Sequence, residues 1–315
     1  MRILVLDNDT IPSDPLRVPD GSEVVRDNYL QPDELERRLA DFDVLMLMKV
    51  RVTEAAIARS RLKFVQKIGV GVDNIDMRAL TARKIPLANA AGQNAIAVAE
   101  QTLLLLLMMA RRWPELVKDV QSGYWRPELA AQTGELHGKT IGIVGFGAIG
   151  REVAKRAAAF GMRLLAHTRT PRREHAQEYG VQFVTLPELL TESDYVSLHT
   201  PLTDETRHLI GADQLRQMKS TAVLLNAARG GVVDEDALID ALRERRIGGA
   251  ALDVFRTEPL PLDSPLSGVD NVIVSPHCGS SYESTIRQWA LASENLARIA
   301  RGERPHCLLN PEIYE

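Results

Sequence analysis

The sequence predicts an α/β protein built on parallel sheets, and three observations carry that expectation. Short apolar runs bounded by turn residues alternate with amphipathic stretches of helical period along nearly the whole chain. One of these runs, 140–144, leads directly into Gly145-Phe146-Gly147-Ala148-Ile149-Gly150 and then into a helical pattern over 151–160. A complete set of strand-like and helix-like segments precedes that turn, so the chain reads as two domains and not one.

In the first set, 3–6, 44–47 and 65–68 are short apolar runs, and 33–39 and 54–59 are amphipathic helices between them. A long helix is expected over 97–112; its most apolar part, 103–110, is far short of the roughly 20 residues that span a membrane. After the glycine turn, strands are expected at 164–166, 195–198, 223–226, 250–253 and 272–274. Helices at 172–179, 187–191, 213–218 and 235–245 separate them, with Gly211 and Asp234 where helix N-terminal turns would fall. The last helix, 283–301, is expected to return to the first domain. That gives two Rossmann-like domains: a discontinuous substrate domain over 1–95 plus 282–315, and an inserted dinucleotide-binding domain over 96–281. A cleft between such domains is a favoured place for a ligand.

Composition narrows the function. Of 315 residues, 45% are hydrophobic and 25% charged, as in ordinary globular proteins. A net charge of −4 argues against a nucleic-acid binder working by bulk charge. Cys278 and Cys307 have no metal-ligand spacing, so no metal is expected, and a reducing cytoplasm fits them. The apolar run at 1–7 is too short for a signal peptide, and no membrane association is expected.

The glycine turn carries the first functional inference. Gly145 permits a tight turn, Gly147 lets backbone approach a pyrophosphate, and Gly150 lets the helix pack close to the strand. Free N–H groups of Ala148, Ile149 and Gly150 at the helix N-terminus would face the phosphates. With a strand before it and a helix after it, the turn reads as a dinucleotide site.

Three further loops each follow a predicted strand, at the edge where open α/β sheets bind ligands. They carry Arg229, Glu258 and His277. Arg can grip a carboxylate through two parallel hydrogen bonds. His can exchange a proton near neutral pH, and a Glu beside it would favour and orient the imidazolium.

At these residues the chain resembles the D-isomer-specific 2-hydroxyacid dehydrogenase family. The resemblance covers most of the chain: Gly69-Val-Gly-Val-Asp-Asn-Ile-Asp76, Val98-Ala-Glu100, the glycine turn, Arg229-Gly-Gly-Val-Val-Asp-Glu235, Leu252-Asp-Val-Phe255, Glu258-Pro259 and Pro276-His277. It implies an oxidoreductase in which Arg229 binds and polarises a 2-oxo acid, His277 donates the proton in reduction, and Glu258 pairs with it. It places Asp253 near the nicotinamide and gives the backbone N–H groups of Val70 and Gly71 to the substrate carboxylate. A loop with Gly69 and Gly71 can form an anion-binding nest. Pro201, Thr206, Ala227, Ala228 and Gly279 are the remaining cofactor contacts expected, while His199 is read as structural.

The cofactor can be narrowed. NAD-binding members place an acidic residue about 20 residues after the turn, where it binds the ribose hydroxyls. Here that stretch contains no Asp or Glu: Thr168 takes the place and Arg169, Arg172 and Arg173 follow. Arginines would bind a 2′-phosphate that a carboxylate would repel. NADP(H) is therefore the expected cofactor, with NAD(H) as the alternative.

The substrate is less legible. Leu47-Met48-Lys49 falls where relatives that oxidise phosphoglycerate carry an Arg-Ser pair. The two apolar residues speak against a phosphate-bearing substrate; Lys49 reads equally as a substrate contact or a solvated charge. The sequence ends at Glu315 without the regulatory extension of many phosphoglycerate dehydrogenases. Glyoxylate, hydroxypyruvate and related 2-oxo acids are the expected substrates. A phosphoglycerate or phosphite-type dehydrogenase, or a non-enzymatic nucleotide-sensing module, is the alternative. Trp113 and Trp125 flank a Pro-containing segment and read equally as homodimer contacts, which the family implies, or as core.

Overall fold

The computed structural model describes residues 1–6, 16–27 and 30–315. The chain divides into two compact units, Met1–Asn94 with Ser280–Glu315, and Ala95–Gly279.

The first unit contains β1 (Arg2–Leu6), β2 (Glu23–Asp27), α1 (Pro32–Arg38), β3 (Val44–Leu47), α2 (Glu54–Ala58), β4 (Phe64–Lys67), α3 (Met77–Ala82) and β5 (Leu87–Ala88). These strands form one parallel sheet in the order β2-β1-β3-β4-β5. Alternate residues of β1 serve opposite faces. Leu4 and Leu6 join Leu35, Leu39, Ile57 and Leu80 on the side of α1, α2 and α3. Ile3 and Val5 join Trp289, Ala292 and Leu296 of the C-terminal helix Tyr282–Ala300. Both faces are covered, which is why the strands read as continuous apolar runs.

The second unit contains α4 (Ala95–Ala110), α5 (Trp113–Gln121), β6 (Thr140–Val144), α6 (Ala148–Ala159), β7 (Arg163–His167), α7 (Arg173–Tyr179), β8 (Val181–Phe183) and α8 (Leu186–Glu192). It continues with β9 (Tyr195–Leu198), α9 (Ala212–Gln217), β10 (Val223–Asn226), α10 (Glu235–Arg243), β11 (Gly249–Leu252) and β12 (Val272–Val274). The parallel sheet runs β12-β11-β10-β9-β6-β7-β8. Strand order reverses around β6, which creates the crevice in which doubly wound sheets take ligands. Helix starts are marked chemically. Thr185 and Glu188 form a capping box on α8, and Asp234 accepts from Ala237 N at the start of α10.

Several elements differ from the sequence expectation. The helix expected over 151–160 begins at Ala148, because Gly150 is already helical and buried against the sheet. The helix expected over 97–112 spans Ala95–Ala110. Three short strands and two short helices were not expected. β2 carries Glu23, Arg26 and Asp27 and lies at a sheet edge, so it has no apolar run. β5 and β8 have two and three residues, too few to show a period. α3 is capped by Asp76, and α5 starts at Trp113-Pro114, where proline's missing N–H costs nothing. Trp113 and Trp125 are 55% and 81% exposed, which removes the core reading for both. Among the described residues no helix is long and apolar enough to cross a membrane.

Candidate active site

The glycine turn leaves the carboxyl end of β6. Gly145 has φ +94°, and a Cβ there would meet His199 O at 2.6 Å. A Cβ on Gly150 would meet Gly145 O at 2.3 Å, so close packing of helix on turn fixes that position as glycine. Gly147 is different: its φ of −78° suits any residue, and nothing lies within 4 Å of a Cβ built on it. The fold does not demand glycine there, but a ligand brought close to the backbone would. Gly147 is the N-cap of α6 and makes no side-chain cap, so the first N–H groups of the helix have no side-chain acceptor. An open cradle at a helix N-terminus fits a pyrophosphate.

Thr168 and Arg169 follow β7, the neighbour of β6, and Gly145 N donates to His167 O at 2.8 Å across the two strands. Arg169, Arg172 and Arg173 are exposed, and among the described residues none of them is paired with a carboxylate. Arg172 and Arg173 also begin α7, a helix end that disfavours positive charge. Phe146, in the glycine turn, packs edge-on against Phe183 and Tyr179 at 5.4 and 5.8 Å between ring centres, which ties α7 to the turn.

Arg229, Glu258 and His277 follow β10, β11 and β12, three neighbouring strands, at their carboxyl ends. Glu258 accepts from two directions: His277 Nδ1 is 2.7 Å from its Oε2, and Phe255 N donates to its Oε1 at 3.1 Å. His277 Nε2 makes no hydrogen bond among the described residues. The His277 backbone is left-handed at φ 52°, which costs on the order of 1–3 kcal/mol and persists only where neighbours enforce it. Asp253 enforces it. Its carboxylate, on a residue 1% exposed, accepts from Ser275 Oγ at 2.6 Å, Cys278 N at 3.0 Å and Gly279 N at 3.0 Å. Arg229 Nη1 donates to Ala228 O at 2.7 Å. Buried Asn226 shapes that loop, accepting from Ala228 N at 3.1 Å and donating to Arg229 O at 3.0 Å.

Other expected contacts are occupied within their own loops. Thr206 Oγ1 donates to Pro201 O at 2.6 Å and accepts from Thr203 N at 2.8 Å. Gly279 N is taken by Asp253, and Ala227 lies between the bonded residues Asn226 and Ala228. Burial pushes the His199 imidazole down to about 4, so it is neutral at physiological pH. Its Nε2 sits 2.8 Å from Ser197 Oγ, consistent with a structural residue.

In the first unit, Lys49 is exposed just past β3, and Val70 and Gly71 follow β4. The nest expectation is corrected: Gly69 and Gly71 are not among the left-handed glycines that such a nest requires. Asn89 Nδ2 holds Val70 O at 2.7 Å instead, and the N–H groups of Val70 and Gly71 have no acceptor among the described residues. Ser275, Asn226 and the Phe255 N–H escaped sequence reasoning. Ser275, beside Pro276-His277, was the one with a local signal. Among the described residues no cluster of His, Cys, Asp or Glu could hold a metal ion.

The model of the D-isomer specific 2-hydroxyacid dehydrogenase NAD-binding domain matches residues 103–279. Glyoxylate reductase of Korarchaeum cryptofilum is 43% identical over 284 residues, covering 88% of this chain and 86% of that protein. D-3-phosphoglycerate dehydrogenase of Methanocaldococcus jannaschii is 39% identical over 313 residues, which are 98% of this chain and 59% of that longer protein. An acyclic imino acid reductase solved with NADPH and D-Arg superposes with a TM-score of 0.87 at 28% identity, covering 98% of this chain and 100% of its own. With a family match over more than half the chain and close relatives over most of it, this chain belongs to the D-isomer-specific 2-hydroxyacid dehydrogenases and is an oxidoreductase.

Proposed function

We propose that the chain is an NADPH-preferring reductase of small 2-oxo acids of the glyoxylate and hydroxypyruvate kind, yielding D-2-hydroxy acids. The observation that carries this reading is the 2.7 Å pair between His277 Nδ1 and Glu258 Oε2. It leaves Nε2 as the proton-bearing atom for a substrate. When bound, the nicotinamide supplies the hydride. As the carbonyl double bond opens, its electron pair moves to oxygen, and His277 Nε2 gives that oxygen its proton. Glu258 orients the ring and stabilises its charge before the proton leaves. Arg229 draws the 2-oxo group and carboxylate into register and favours the growing negative charge. The N–H groups of Val70 and Gly71 serve the substrate carboxylate. Asp253 contributes by fixing the 275–279 loop.

Preference for NADPH rests on Thr168 in the acidic position and on Arg169 and Arg172, which lack carboxylate partners among the described residues. The longer phosphoglycerate-oxidising relative, together with exposed Lys49, supports a second reading with a phosphate-bearing substrate. A panel of glyoxylate, hydroxypyruvate and phosphohydroxypyruvate, assayed by absorbance with NADPH and NADH, decides between them. Turnover of phosphohydroxypyruvate alone, or faster turnover with NADH, rejects the first reading. A homodimer through the segment from about Glu100 to Trp125 is also proposed, from Leu104, Trp113, Val120 and Trp125, which are 50–81% exposed. Sedimentation as a monomer at micromolar concentration rejects it.

A further inference from the structure

The loop that bears Glu258 is held from outside the site. Arg256 N donates to Glu235 Oε2 at 2.9 Å, and the Glu235 side chain is only 13% exposed. Glu235 opens α10 and so stands at the far end of the loop that begins with Arg229. One residue past Arg229, Gly230 presses on the same segment: a Cβ there would come within 2.0 Å of the Phe255 carbonyl carbon. Phe255 N donates to Glu258 Oε1 at 3.1 Å. A continuous set of contacts therefore runs from Glu235 through the backbone at 255–256 to Glu258 and His277.

We propose that Glu235 is a positioning residue for the proton-donating pair. It touches no substrate. Its carboxylate sets where the 255–256 backbone lies, and hence where Phe255 N holds Glu258 and where Glu258 holds the imidazole. The inference rests on the reading of His277 as the proton donor, with Glu258 as its partner. Proton transfer requires heavy atoms within about 2.6–3.2 Å, so a small drift of this loop is felt in turnover and not in cofactor binding. The competing role is that Glu235 is merely an acidic residue at the start of α10, where negative charge favours the helix.

The test is steady-state reduction of glyoxylate by NADPH, with folding checked by circular dichroism. Glu235→Ala is expected to lower kcat about tenfold with the KM for NADPH unchanged. Glu235→Gln, which keeps an acceptor oxygen, should recover most of that loss. Glu235→Asp keeps the charge on α10 but withdraws the carboxylate, and should resemble Glu235→Ala; it also serves if the alanine variant does not fold. Asp236→Ala removes only the exposed ion pair to the Arg256 guanidinium, 2.6 Å away, and should leave turnover unchanged. Glu235→Ala combined with Glu258→Gln should be no slower than Glu258→Gln alone. The proposal is overturned if Glu235→Asp turns over like the wild type, if Glu235→Gln is as slow as Glu235→Ala, or if the losses at Glu235 and Glu258 multiply. Wild-type turnover by Glu258→Gln itself would instead defeat the underlying reading, and the clamp with it.

Discussion

The two units pin the amino edges of their sheets with the same device and build their carboxyl edges differently. In the first unit, Asp43 precedes β3 and accepts from Arg2 N, at the start of the neighbouring β1, at 2.8 Å; Lys63 Nζ stands 3.2 Å from its other oxygen. In the second, Asp194 precedes β9 and accepts from Thr140 N, at the start of β6, at 2.8 Å, with Lys219 Nζ at 2.9 Å. The Arg2 N–H, followed by Lys63, holds the Asp43 carboxyl below its ordinary value against the effect of burial. Burial works against ionised Asp194, and the Thr140 N–H and Lys219 overcome it. At the carboxyl edges the likeness ends. Past β11 and β12, Asp253 and Glu258 bind the loops to one another; past β4, the N–H groups of Val70 and Gly71 have no protein acceptor among the described residues. One edge is tied together by protein carboxylates, whereas the other holds the N–H groups proposed to take the substrate carboxylate. What recurs serves folding, and the proposed chemistry falls on what does not recur.

The comparison breaks most visibly at His277. His277→Gln is expected to lower kcat about 10²–10⁴-fold with little change in NADPH binding, read by stopped-flow and cofactor titration. A variant that keeps near-wild-type turnover would mean that the proton comes from another group. Next comes the proposed 2′-phosphate contact past β7 in the second unit. Arg169→Ala should weaken NADPH use roughly tenfold or more while leaving NADH use nearly intact, because a charge-assisted contact is worth about 1.5–3 kcal/mol. Equal losses with both cofactors would remove the 2′-phosphate role.

The shared device should answer equally in both units. Asp43→Asn and Asp194→Asn should each destabilise by about 1–2 kcal/mol at pH 7, since Asn keeps an acceptor but not the charge. Both carboxyls are depressed below the ordinary 3.8, so their contribution is complete above that value and is lost as pH falls through the folded-state value. Urea midpoints of variant and wild type should therefore converge as the pH is lowered and the two carboxyls take up their protons. A difference that persists once they are protonated would show that packing, not charge, sets the effect. The smallest change expected is at Lys49. Lys49→Ala should alter stability by less than about 0.5 kcal/mol and leave glyoxylate turnover unchanged. A large rise in KM confined to phosphohydroxypyruvate would favour the phosphate-bearing substrate.

Much of this was legible because chemistry in an open α/β sheet sits just beyond strands whose apolar runs stand out. Arg229, Glu258 and His277 fall three, six and three residues past β10, β11 and β12. Gly145-Phe146-Gly147-Ala148-Ile149-Gly150 was legible because packing and the open cradle constrain its glycines separately. What stayed hidden depends on partners remote in sequence. Nothing near Asp253 announces that it will accept from residues 22 to 26 positions later, or that Glu235 will meet Arg256 N 21 positions on. The donors at Val70 and Gly71 are backbone groups, which no side-chain pattern can advertise. Edge strand β2 carries three charged residues among its five and β8 has only three residues, so neither shows the apolar run that reveals the central strands.

The chain has three tryptophans, and their environments are opposed. Trp289 is 1% exposed in the core of the first unit, while Trp113 and Trp125 lie open on the second. Iodide should quench the second pair and spare the first, so the native fluorescence is a sum of two separable signals. The unquenched, blue-shifted part reports loss of structure around β1, β3 and the C-terminal helix; the quenchable part reports whatever comes to cover α5. Folding of one unit and association through the other can thus be followed in a single cuvette, without a label.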